Sequence, residues 1–158
     1  ATISNQMVGY LVMIPYVAGF FAMYFFGRFS DKTGERRGFT ILGMAIGAVA
    51  LLANAYFGSD NPFLTMIFFT LGIGGVFGAY PPFWGIPTSF LTATSAAGAI
   101  AMINSIGNLG GFAGPYAMGY LREAVGSFAG GVSVLAVGLL AGCALLMVLS
   151  KTGKEKVS

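Results

Sequence analysis

Side chains that titrate, donate or accept are few in this 158-residue chain, and they cluster. Four Arg/Lys and two carboxylates fall within the eleven residues from Gly27 to Arg37, GRFSDKTGERR, between two long apolar runs. Asn104, Ser105 and Asn108 stand inside another apolar run, and two amides four residues apart share one face of a helix. Uncharged amides can hydrogen-bond hydroxyls and carboxylate oxygens without the cost of a buried charge. Trp84, the only tryptophan, closely follows Tyr80, Pro81 and Pro82. The single cysteine, Cys143, rules out an internal disulfide, and the chain has no histidine to serve it as a base or to join it as a metal ligand. Cys143 therefore reads as a small packing residue. Gly72, Gly74 and Gly75 lie within an apolar run and form no phosphate-binding loop. No catalytic residue, metal site or cofactor is expected, and the chain does not read as an enzyme.

The elements that must position these residues follow from composition. Apolar residues make up 56% of the chain and charged residues 8%, with a mean hydropathy of +0.82, against roughly 25% charged residues in an ordinary soluble domain. Charge-free runs long enough to cross a bilayer are predicted at residues 8–26, 39–57, 63–91, 96–121 and 128–149. The fold class expected is all-α integral membrane with five transmembrane helices. Basic residues collect in loops that stay in the cytoplasm. Placing Gly27–Arg37 there also puts Lys151, Lys154 and Lys156 of the tail inside, with Asp60 and Arg122 opposite. Seven of the eight basic residues then share one side, so the net charge of +3 reports orientation and no nucleic-acid partner. The expectation is a multi-pass protein of a cell membrane, the bacterial inner membrane, with a cytoplasmic C-terminus. The chain starts on the outer side without a methionine or a basic segment, and so reads as the back part of a longer protein.

The third span should be broken near residues 81–82. Pro81 and Pro82 cannot donate to the carbonyls of Phe77 and Gly78, and Tyr80, ahead of a proline, is pushed away from helical geometry. Broken membrane helices point to binding sites in transporters. Trp84 lies roughly 30 Å along that helix at about 1.5 Å per residue, so by position it suits an interfacial belt as readily as a pocket wall. Asn104 sits about 12 Å into the fourth span, near mid-membrane. It and Asn108 suit either a ligand site or hydrogen bonding between helices, worth about 0.6 kcal/mol per bond. Gly107, Gly110, Gly111 and Gly114, with Pro115, read as packing and hinge positions.

The order Gly27, Asp31, Gly34, Arg36, Arg37 resembles the G-x-x-x-D-x-x-G-x-R-R signature in cytoplasmic loops of the major facilitator superfamily. Two longer runs, IPYVAGFFAMYFFGRFSDKTGERR from Ile14 and PPFWGIPTSFLTATSAAGAIAMINSIGNLGGFAGPYAMGYL from Pro81, resemble the eighth, tenth and eleventh helices of its anion:cation symporter family. The resemblance implies the C-terminal helical bundle of a major facilitator, helices eight to twelve, without the first seven. It implies proton-coupled transport of an organic anion such as a sugar acid, a tartrate-like acid or an aromatic carboxylate. It further implies that Gly27, Asp31, Gly34, Arg36 and Arg37 form a conformational latch between the halves and that Trp84 lines the substrate pocket. No Asp, Glu or His lies within a predicted span, so the proton-coupling group and any arginine for the carboxylate belong to helices outside this chain. The alternative is a small accessory or scaffold membrane protein whose glycine-rich faces bind another membrane chain.

Overall fold

The computed structural model describes residues 4–58, 61–126 and 128–155. Asp60 and Lys156, both used in the expected orientation, lie outside the described residues. The chain forms five helices, α1 (Asn5–Thr33), α2 (Arg36–Phe57), α3 (Pro62–Thr88), α4 (Ala93–Val125) and α5 (Phe128–Glu155), with no strand among the described residues. Each is long and apolar enough to cross a membrane, which is the all-α membrane class the composition calls for. The helices begin before and run past most of the apolar spans, because backbone hydrogen bonding continues through polar residues beyond a hydrocarbon core of about 30 Å. Only α3 stops short, at Thr88 rather than residue 91.

Local sequence sets the ends. Ser4 caps α1 by accepting from the Met7 amide at 3.3 Å, and Asn61 caps α3 by accepting from Phe63 and Leu64 at 3.0 and 3.3 Å, with Pro62 at the first helical position. Gly34 ends α1 at φ +72°, a left-handed conformation that glycine adopts without a steric penalty. It leaves only Gly34 and Glu35 between α1 and α2, so the two helices reverse sharply.

Helix α3 is continuous, which overturns the break expected at Tyr80, Pro81 and Pro82. All three residues are helical, and Pro87 lies within the same helix. The φ of about −65° that proline fixes is itself helical, so what is lost is the hydrogen bond to the carbonyl one turn back. Packing holds the turn in place. Ala79 and Pro82 are buried, the Pro81 ring lies against Gly27 of α1, and the Phe26 ring covers Gly78.

Helix α3 is the centre of the bundle, packed between α1 and α2, while α5 covers the other side of α2 and α4 rests mainly on α5. The α2–α3 contact is made by small residues. A Cβ on Gly75 would stand 2.5 Å from the Gly47 amide nitrogen and 2.7 Å from the Gly43 carbonyl, so the backbones touch only because those side chains are absent. The cysteine packs as expected: Cys143 is buried on α5, its Sγ 3.7 Å from the Ile41 carbonyl of α2. The glycines of α4 do otherwise. Gly107, Gly110, Gly111 and Gly114 have no atom within 4 Å of a built Cβ, so they pack on no described element. Large apolar side chains stand outward on the same helix, with Phe112 79% and Tyr116 73% exposed. On α1, Tyr10 is 70% and Phe20 65% exposed. Such surfaces require lipid or further helices around them.

Candidate functional site

The charged residues of the α1–α2 turn are drawn together by its geometry. Asp31, in the last turn of α1, pairs with Arg36, the first residue of α2, with Nη2 3.8 Å from Oδ1. Arg36 is half-buried and Asp31 largely exposed. The other guanidinium nitrogen, Nη1, donates to the carbonyl of Gly85 in the last turn of α3. Three helix ends therefore converge on one side chain. Arg37, Arg28 and Lys32 are exposed beside it, and Gly27 lies where a Cβ would stand 3.1 Å from the Pro81 Cβ. Beneath the turn are Ser30 and Thr40, the two most completely buried polar side chains among the described residues. The Thr40 hydroxyl donates back to the Arg36 carbonyl at 2.8 Å.

The last turn of α3 carries Trp84, which is half-buried, its ring edge-on to Phe83 with centroids 5.2 Å apart. Further up the helix Phe77 links Tyr80 to Tyr16 of α1, with ring centroids 5.9 and 5.8 Å apart. Residues 77, 80 and 84 lie on one helical face, so an aromatic file runs from the α1–α3 seam toward Trp84. The only sequence signal for the file is the spacing of three and four between Phe77, Tyr80 and Trp84. Gly85 gives still less signal, because what it contributes is a carbonyl that every residue possesses.

The polar residues of α4 are placed apart from this group. Asn104, Ser105 and Asn108 are all exposed, and the Ser105 hydroxyl donates to the Ala101 carbonyl of its own helix at 2.8 Å. No hydrogen bond or ring contact among the described residues joins them to Trp84. Thus the structure brings Asp31, Arg36 and Gly85 together beside Trp84 and leaves the amides on an open face. An open groove of about 430 Å³ between α1 and α3 is lined by Leu11, Ile14, Phe63, Met66, Ile67, Thr70 and Leu71. Its one hydroxyl, Thr70, is spent on the Met66 carbonyl at 2.7 Å, so the groove offers a carboxylate nothing and suits an apolar neighbour. No group of residues that could hold a metal ion occurs among the described residues.

Comparison with known proteins supplies a family. The profile of the Major Facilitator Superfamily matches residues 1–158. Two Agrobacterium vitis proteins named for tartrate transport are 40% identical over 153 residues and 39% identical over 150 residues. Those matches cover 97% and 95% of this chain but 35% and 33% of the relatives. A protein of Acinetobacter baumannii named as a quinolone resistance transporter is 34% identical over 154 residues, 97% of this chain and 35% of its own length. The chain thus spans about a third of the relatives it matches. No solved structure matches it.

Proposed function

The chain belongs to the Major Facilitator Superfamily, and we propose that it forms the C-terminal part of a secondary transporter that carries a small organic anion together with protons by alternating access. It is a multi-pass membrane protein, and the relatives point to transport rather than to an enzyme. The observation that carries the finer reading is the 40% identity, across nearly the whole chain, to a protein named for tartrate transport. Chemistry supports it. The exposed amides of Asn104 and Asn108 suit the hydroxyls and carboxylates of a hydroxy acid, and Trp84 suits its carbon skeleton. In this reading α4 turns its amide face toward helices contributed by the rest of the transporter, which close the pocket against Trp84. The proton-coupling group and a carboxylate-binding arginine lie on those same helices, because the apolar spans at residues 8–26, 39–57, 63–91, 96–121 and 128–149 hold no Asp, Glu, His or Arg. Gly27, Asp31, Gly34, Arg36 and Arg37 serve the conformational cycle at the cytoplasmic surface. The membrane is the bacterial inner membrane, with the α1–α2 turn and the C-terminus in the cytoplasm.

Uptake by the full-length protein in proteoliposomes, competed by a panel of tartrate, sugar acids, aromatic carboxylates and a quinolone, tests the substrate class. Competition by one or more hydroxy acids is the expected result. Competition by the quinolone alone would move the protein to drug efflux, and no uptake of any compound would favour the accessory-subunit reading.

A further inference from the structure

We propose that Arg36 is a positioning residue for Trp84, fixing the last turn of α3 through the Gly85 carbonyl. That turn has little to hold it from within. Pro87 has no N–H to offer Phe83, and the Ser89 amide turns aside to the Ile86 carbonyl at 3.2 Å. The Gly85 carbonyl is therefore left without its amide partner one turn on. It accepts instead from the Thr88 hydroxyl at 3.2 Å and from Arg36 Nη1. Carbonyls at the end of a helix carry partial negative charge, and an arginine that reaches them from outside caps the helix.

The charge arrangement has a second half. Arg36 is the first residue of α2, where a cation faces the positive end of its own helix dipole. The Asp31 carboxylate and the C-terminal carbonyl of α3 supply the negative charge that keeps it there. Space is matched as well. A Cβ on Gly85 would stand 2.9 Å from Arg36 Cδ and 3.0 Å from Nε and Nη1, so the guanidinium stem occupies room that any other residue at 85 would take. Trp84 is the next residue along the chain. The loop cluster is in this way bound within its own half of the molecule by Arg36, leaving Arg37 as the exposed arm for contacts elsewhere.

The functional consequence rests on the reading of Trp84 as a pocket wall, whereas the positioning itself does not, and the two can be tested apart. Trp84 is the only tryptophan of the chain, so the fluorescence of the full 158-residue chain in lipid vesicles free of any other protein, excited at the tryptophan band, reports on it alone. Iodide quenching of Arg36→Gln should rise at least about twofold over the parent, because loss of a charge-assisted hydrogen bond frees the turn. Gly85→Ala should give the same rise by displacing the guanidinium. Arg36→Lys, which keeps the charge and one donor, should fall between, and Arg28→Gln, an exposed charge of the same region, should match the parent. Circular dichroism checks that helicity is retained. If Arg36→Gln unfolds, Gly85→Ala carries the test, since it preserves every charge. Parental quenching in Gly85→Ala, or an equal rise in Arg28→Gln, overturns the proposal. In the full-length transporter the KM of Arg36→Gln should rise about threefold or more, the effect of one weakened substrate contact. Raised quenching with an unchanged KM would uphold the positioning and remove Trp84 from the pocket.

Discussion

Gly34 marks how a single residue shapes the region around it: its positive φ ends α1 and turns the chain straight into α2, which sets Arg36 beside Asp31. An alanine there should destabilise the protein by about 1–2 kcal/mol, the left-handed penalty for an L-residue. Gly74, helical with nothing within 4 Å of a built Cβ, gives the opposite sign, and alanine should stabilise by about 0.5–1 kcal/mol. Equilibrium unfolding in mixed micelles checks both, and equal effects at the two sites would contradict the geometry. At the proposed site, Asn104→Leu keeps rough size but removes the polar partners. Substrate affinity in the full-length protein should fall about threefold to tenfold, the effect of losing one neutral hydrogen bond, with surface expression retained. If both Asn104→Leu and Trp84→Ala bind as the parent does, the pocket lies elsewhere. The charged segment that carries Asp31, Gly34 and Arg36 was legible in the sequence, because four Arg/Lys and two carboxylates stand between two apolar runs. The role of Gly85 was not, because a backbone carbonyl acquires its partner only when three helix ends meet.

At the scale of elements, the number of helices and their apolar character follow from runs of uncharged residues, and the structure adds how they pack. The sequence reading placed glycine packing on α4, yet the close contact is between α2 and α3, through Gly43 and Gly47 against Gly75. The spacing of four in Gly43-x-x-x-Gly47 is as readable as the one on α4. What sequence alone does not say is which of several small-residue faces finds its partner within the described helices. The continuity of α3 has a similar origin. Proline removes hydrogen bonds locally, but Gly27 and Gly78 let α1 close over the weakened turn, and in one case that compensation, Gly27 against Pro81, comes from a distant part of the chain. Two substitutions separate the glycine faces. Gly75→Leu must force α2 and α3 apart, so the folded bundle should be lost or destabilised by more than about 3 kcal/mol. Gly111→Leu should leave the isolated five-helix bundle as stable as the parent. Thermal unfolding of both variants, followed by circular dichroism, is the measurement, and loss of the bundle in Gly111→Leu alone would reverse the assignment.

For the whole molecule, the separation of charged turn from apolar helices predicts an orientation. A cysteine replacing Lys32 should be protected from a membrane-impermeant reagent in intact cells, while one replacing Asp60 reacts. The reverse pattern would invert the topology. The exposed faces of α1 and α4 and the third of a relative's length that this chain spans fit a bundle that works against further helices, and the proposed latch is a property of that larger assembly. Asp31→Asn should slow transport while leaving equilibrium binding nearly unchanged, because a charge cluster at the helix ends biases one conformation without touching substrate. The most direct test of the account is uptake of radiolabelled tartrate or a related hydroxy acid by the full-length protein in proteoliposomes, driven by an imposed pH gradient. Accumulation that collapses about tenfold or more when a protonophore dissipates the gradient is predicted, since a proton gradient of one pH unit is worth 1.4 kcal/mol, one decade. Uptake that persists unchanged without the gradient, or no uptake of any such anion, would contradict proton-coupled organic-anion transport.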